Sequence, residues 1–194
     1  MNEALKSANQ ELVSTGLKIQ ELEKENDFLR KELGVVKRKK MEVALAKVFH
    51  HQLDGQSSTS LIDVGKNEGV KVGMPVIFNG EILFGVIKEV YADSSLIYLI
   101  TDPRVNLSVK IENSETMGRS KGNLSNGLNL ELVANQEEIT PGQLVITSGL
   151  DGLPSALVVG TIKTAEPSQG GLFQKILVEP KFQDQTIERV FVLK

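Results

Sequence analysis

The sequence predicts a mainly β protein: two related antiparallel β-units of sandwich or barrel type, preceded by an N-terminal coiled-coil helix. Three observations carry this. Residues 1–40 contain no proline, whereas 41–194 hold all six. Short Val- and Ile-rich runs recur after Met41, punctuated by Gly, Asn, Asp and Pro. Two stretches of the second part also resemble each other, as two copies of one β-unit would.

The first 40 residues read as a heptad array. Leu5, Leu12, Ile19, Asn26 and Leu33 recur every seven residues, and Ala8, Thr15, Leu22, Leu29 and Val36 follow three positions behind. Placed at a and d, these form a seam for a partner helix. In a parallel pair each g residue faces the e residue five positions later on the partner. Lys18–Glu23, Glu25–Arg30 and Glu32–Lys37 are then all opposite in sign, and each exposed pair contributes about 0.3–0.5 kcal/mol. Asn26 at an a position fixes register in two-stranded coils at some loss of stability. The expected dimer interface is Leu5, Leu12, Ile19, Leu22, Asn26, Leu29, Leu33 and Val36, on a coil about 48 Å long. The competing reading is a lone helix packed on its own domain. The run Lys37-Arg38-Lys39-Lys40 closes the helix, either as cations on its negative end or as a contact for an anionic partner or lipid headgroup.

After Met41 come "VALAKVF", "TSLIDVG", "PVIF", "ILFGVIKEVY", "LIYLIT", "NLELV", "QLVITSG", "ALVVGTIKTA", "KILVEP" and "RVFVLK". Strands at this spacing indicate antiparallel sandwich or barrel architecture. "VKVGMPVIFNG" aligns with "ITPGQLVITSG", and "FGVIKEV" with "VGTIKTA". Gly73 thus matches Gly142, Gly80 matches Gly149, and Gly85 matches Gly160, with an insertion inside "LDGLPSALV". These six glycines are expected at structural turns or close backbone approaches. The expected domains are 1–40 (coiled coil), 41–112 (first barrel) and 113–194 (second barrel), with room for the C-terminal strands to return to the first.

Composition excludes several functions. The chain has no cysteine and a net charge of −3, so thiol chemistry is absent and nothing favours nucleic acid. His50 and His51 are adjacent and point to opposite faces of a strand, a poor pair of metal ligands. No apolar run is long enough to span a membrane and no signal peptide is evident. There is no phosphate loop, zinc motif or dinucleotide fingerprint, so no metal or cofactor is expected. Ser148, in "TSG", invites a catalytic reading, but it corresponds to Asn79 in "FNG" and both are turn chemistry. It lacks a G-x-S-x-G elbow and any nearby histidine to act as base. Asp63, Asp102 and Asp151 each lie beside a turn. No catalytic residue is expected.

These residues resemble the MreC family of bacterial rod-shape-determining proteins over nearly the whole chain. The resemblance is carried by "ENDFLRKEL", "DVGKNEGVKVGMPVI", "GVIKEVYADSSLIYLITDP", "PGQLVITSGLDGLP" and "VVGTIK", most specifically by Thr147–Pro154 and Leu99–Pro103. "GLPSALVVG" departs from the family where a bulky residue usually precedes the proline, and Gln143 stands where Asp is common. The resemblance implies a mainly β fold of two small antiparallel six-stranded-type β-barrels after the coiled-coil helix, arranged like the barrels of chymotrypsin-type proteases without the triad, in the extracytoplasmic part of a membrane-anchored scaffold. It implies self-association as dimers, extending to filaments. It also implies a class B penicillin-binding transpeptidase, MreD, RodA and indirectly MreB as partners. Two other classes compete: a periplasmic adaptor of an export pump, and a serine hydrolase on a double barrel.

Overall fold

The structure is a computed structural model that describes residues 12, 15–19, 22, 42–53, 55–79, 81–124, 127–168, 170–182 and 187–194. Backbone contacts divide the chain into Met1–Met41 and Glu42–Lys194. In the first unit the described residues are helical, and Leu12, Ile19 and Leu22 are exposed. The helix described is a short one. Leu5, Asn26, Leu29, Leu33 and Val36 lie outside the described residues, as does most of the expected dimer seam.

The second unit is built of strands. They are β1 (Val43–Leu53), β2 (Ser58–Ile62), β3 (Pro75–Phe78), β4 (Ile82–Val90), β5 (Ser95–Leu99) and β6 (Asn106–Ile111). The series continues with β7 (Met117–Gly122), β8 (Leu128–Glu131), β9 (Leu144–Thr147), β10 (Val158–Glu166), β11 (Lys175–Pro180) and β12 (Arg189–Leu193). Between β2 and β3 a short helical turn spans Lys66–Glu68.

Alternation of buried and exposed residues gives each strand an inner face. β2 and β5 both read buried–intermediate–buried along their length, and β6 and β11 bury every second side chain. Strands β6 to β11 pair in the cycle β6–β7–β8–β11–β10–β9–β6, always antiparallel. That cycle is a closed six-stranded antiparallel barrel. Pairing of the other six strands also returns to its start, through β1–β2–β5–β4–β3–β12–β1. One parallel bridge, Val158 to Ile82, joins the two circuits. Phe84 of β4 packs edge-on against Phe182 with ring centroids 5.1 Å apart.

One strand, β6, lies before the boundary expected at residue 112 yet joins the second circuit, and β12 makes the return to the first for which the sequence left room. β6 pairs with β7 and β9, and β12 lies between β1 and β3. Strand patterns alone carry no partner information; here Leu107, Val109 and Ile111 are buried with the barrel that β6 completes.

The internal repeat has a structural counterpart. Gly73 and Gly142 both have positive φ, +88° and +94°, and their N–H groups donate to Ile87 O and Ile162 O, each at 2.9 Å. Ile87 and Ile162 return the bond to Met74 O and Gln143 O, again at 2.9 Å. Val76 pairs with Gly85 as Val145 pairs with Gly160. Bulges fall at Lys88 and Lys163, the residues skipped in each register. The insertion is the loop 148–157, where the first copy has only three residues between β3 and β4. Gly149 has φ +90°; Gly80 lies outside the described residues.

The matched glycines serve two different needs. At Gly73 a Cβ would meet nothing within 4 Å, so only the backbone conformation requires glycine. At Gly85 a Cβ would sit 2.5 Å from Tyr98 O, and at Gly160 it would overlap Glu179 O, because β5 and β11 cross these points closely. Gly85→Ala and Gly160→Ala should therefore each cost upwards of about 2 kcal/mol through a clash against backbone. Gly73→Ala should cost about 1–2 kcal/mol from φ alone. Urea unfolding of the three variants checks the order.

Candidate functional site

The loop Thr147–Pro154 is fastened to β6 and to itself. Ser148 Oγ donates to Ser108 O at 2.9 Å and accepts from Leu150 N at 3.3 Å. Asp151 accepts from both the N–H and the hydroxyl of Ser108. Thr147 Oγ1 donates to Pro154 O at 2.6 Å and accepts from Leu157 N at 3.0 Å. The Ser148 hydroxyl is thus committed to backbone, and its role in the structure is that of a turn residue.

A serine does meet a histidine elsewhere. His51 Nδ1 lies 2.9 Å from Ser60 Oγ, within the reach of a nucleophile–base pair. Burial first, and the neighbouring His50 second, lower the His51 pKa. Ser60, however, is 1% exposed, so no substrate carbonyl can approach its hydroxyl. His50 pairs with Leu61 and His51 with Ser60 on successive positions of β1, which places the two rings on opposite faces. Among the described residues no three potential metal ligands gather.

The densest polar network surrounds Asp102, between β5 and β6. Its fully buried carboxylate accepts from Ser58 N at 2.8 Å and from Arg104 N at 2.9 Å. Arg104 adds Nε at 2.7 Å and Nη2 at 2.6 Å, a two-pronged grip on both oxygens. The guanidinium also lies over the Tyr98 ring, 3.8 Å from its centroid, with Lys88 at 5.7 Å. Ser58 Oγ and Thr101 Oγ1 share a hydrogen bond of 2.9 Å, and Leu124 N donates to Thr101 O at 2.8 Å. A Cβ at Gly122 would overlap the Asp102 carbonyl, so β7 runs hard against this junction. The sequence marks Asp102 only as a turn residue before Pro103; the signal passed over is the Asp-Pro-Arg spacing, which lets one carboxylate face both the backbone and the side chain of Arg104.

With this geometry in place, the likeness to known proteins is decisive. Residues 48–194 match the barrel core of the rod shape-determining protein MreC. The chain belongs to the MreC family. The cell shape-determining protein MreC of Bacillus subtilis is 29% identical over 189 residues, which covers 91% of this chain and 65% of that protein. The chain thus spans less than two thirds of that relative's length. A solved MreC structure from Listeria monocytogenes matches with a TM-score of 0.78 at 28% identity, covering 100% of this chain and 95% of that one. A solved complex between a penicillin-binding protein (PBP2) and MreC from Helicobacter pylori matches in fold, with a TM-score of 0.56 at 16% identity over 78% of this chain and 98% of that one.

The Asp102 network makes stability depend on pH. Burial alone would raise the Asp102 pKa; the bonds from the Arg104 side chain, then from Ser58 N and Arg104 N, then the Arg104 charge, outweigh it and hold the carboxyl below its ordinary 3.8. An acid with a depressed folded pKa contributes stability above 3.8 that is lost as pH falls through the folded value. Asp102→Asn should cost about 2–3 kcal/mol at pH 7, since its amide cannot accept all four donors. The gap between variant and wild type should narrow below pH 3.8. Urea titrations at pH 7 and in acid measure both.

Proposed function

We propose that this chain is a non-enzymatic scaffold of the bacterial cell-elongation machinery, placed outside the plasma membrane, that binds and activates a class B penicillin-binding transpeptidase. The observation that carries the reading is the family match over the barrel core. The Helicobacter pylori complex, in which a relative is paired with a penicillin-binding protein, supports the choice of partner. MreD, RodA and indirectly MreB complete the assembly that the resemblance implies, and a helix preceding this chain would anchor it.

Taking both strand circuits as barrels, the scaffold has no free sheet edge, so partners are held by side-chain faces and loops rather than by strand addition. Activation is a population shift. A scaffold that binds the active transpeptidase conformer tenfold better than the inactive one raises their ratio tenfold, equivalent to about 1.4 kcal/mol. The heptads of residues 1–40 make the scaffold a parallel dimer, and the barrels extend dimers to filaments. Ser148, bonded to the Ser108 carbonyl, and Ser60, buried beneath His51, both speak against the hydrolase reading.

Addition of the chain to the purified transpeptidase ectodomain of the same organism should raise its cross-linking rate, and Ser148→Ala should leave that effect intact while changing stability by about 1 kcal/mol. Covalent labelling of the wild type by a fluorophosphonate, lost in Ser148→Ala, would replace the scaffold with an enzyme. Sedimentation equilibrium tests the coil. The wild type should dimerise, and Asn26→Leu should strengthen association while admitting trimers or antiparallel pairs.

A further inference from the structure

Three loops gather at one end of the β6–β11 barrel: 112–116, 132–143 and 167–174. Thr116 Oγ1 donates to Glu137 Oε2 at 2.6 Å, tying the first to the second. Asn135 ties the second to the third: its Nδ2 donates to Gly171 O at 2.7 Å and Ser168 O at 3.1 Å, and its Oδ1 accepts from Ser168 N at 3.2 Å. Gln174, buried, donates through Nε2 to Glu137 O at 2.6 Å and Ala134 O at 3.0 Å. Backbone bonds from Asn135 N to Leu172 O and from Gln174 N to Val133 O complete the fastening.

This end nevertheless presents apolar side chains to solvent. Leu172 is 80% exposed, Leu132 55% and Phe173 44%. Leu132 also has φ +67°, a region that branched apolar residues rarely occupy. Loops this well tied could have turned these side chains inward or replaced them with polar ones. Acids outnumber bases around this end: Glu112, Glu115, Glu131, Glu138 and Glu166 are exposed on the same loops and strand ends, with Arg119 opposite Glu131 and Lys175 opposite Glu166. Beside them, where β8, β11 and β10 run together, a groove of about 360 Å³ is lined by Asn129, Glu131, Thr164, Glu166, Lys175 and Leu177.

We propose that this end of the barrel is a docking surface for a protein segment that sets a large apolar side chain against Leu132, Leu172 and Phe173 and flanks it with Lys or Arg facing the glutamates. Exposed apolar side chains grouped inside a polar rim mark an interaction site, and the acidic rim fixes the sign of the partner's charge. The same rim repels anionic lipid and nucleic acid phosphates. The barrel is closed, so the segment docks on side chains and adds no strand. The inference rests on the scaffold reading and assigns this surface to the transpeptidase.

The test is biolayer interferometry of the full chain against the transpeptidase ectodomain of the same organism. Leu172→Ser combined with Phe173→Ser should weaken binding at least about tenfold, as loss of a central apolar anchor does. Glu115→Lys combined with Glu138→Lys, both exposed and on loops, should weaken it and flatten its salt dependence. Leu150→Ser, at the opposite end of β9, should bind within about twofold of wild type. Matching thermal midpoints verify folding of each variant. Wild-type binding that both double variants retain would overturn the assignment of this surface and leave the scaffold reading standing. Absence of wild-type binding would overturn both. Retention of the chain on phosphatidylglycerol vesicles, abolished by the Leu172/Phe173 variant, would replace the protein segment with a lipid surface and overturn the proposal.

Discussion

The constraint on which the strand unit depends is the position of β12. The last strand of the chain lies between β1 and β3, with Val43 opposite Leu193 and Ile77 opposite Phe191. Lys194 N donates to Glu42 O at 2.8 Å, so the two ends of the unit are hydrogen-bonded to each other. Without β12, two edges with unpaired N–H and C=O groups would open on β1 and β3, each a template for aggregation. The circuit that begins at residue 43 therefore closes only with the final residues of the chain. The β6–β11 barrel, by contrast, draws all its strands from one continuous stretch. Because non-local pairing requires loop closure before any contact rewards it, the local barrel is the natural first product of folding and the β12 circuit the later one.

The placement of β12 also completes the repeat. Within their circuits β1, β2, β3, β4 and β5 occupy the places that β7, β8, β9, β10 and β11 occupy in the other, and β12 takes the place of β6. One copy thus starts a strand late and takes its opening strand from the far end of the chain. This puts β6 across the boundary expected at residue 112, and puts β12 in the return to the first copy that the sequence left open. It also explains where the sequence similarity is visible. The matched positive-φ glycines Gly73 and Gly142, the bulges at Lys88 and Lys163, and the matched close approaches at Gly85 and Gly160 all fall in or just before β3–β5 and β9–β11, where backbone geometry restricts the side chain. Elsewhere the two copies need only alternate apolar and polar residues, which many sequences satisfy.

What could be read from the residues was local. The turn character of Ser148 follows from Ser-Gly after an apolar run, and strand positions follow from β-branched runs between turn residues. The unreadable part consists of bonds between distant positions. Asp102 meets Ser58 across 44 residues, Ser148 meets Ser108 across 40, and Gln174 meets Glu137 across 37. Each is a polar side chain of an ordinary loop type, and nothing in its neighbours distinguishes a solvated Asp, Ser or Gln from one that fastens two loops. The heptads of residues 1–40 are a different case, since most of their a and d positions lie outside the described residues and the partner helix proposed for them is no part of the chain's own fold.

These long-range bonds bear on the scaffold role proposed for the chain. Differential affinity is eroded when the binding surface must be ordered on contact, because the ordering cost is set against every contact made. Amides and carboxylates at loop bases, buried at Gln174 and Asp102, remove that cost in advance. Asn135 and Gln174 fix the 132–143 and 167–174 loops, Asp151 fixes the 148–157 loop, and Asp102 fixes the connection between the two circuits. The exposed leucines at 132, 150 and 172 therefore sit on backbones whose hydrogen bonds are already made. Closed strand circuits supply the rigid base, and the polar staples carry that rigidity outward to the loops. The result is a surface that can favour one partner conformation over another without first having to adopt its own.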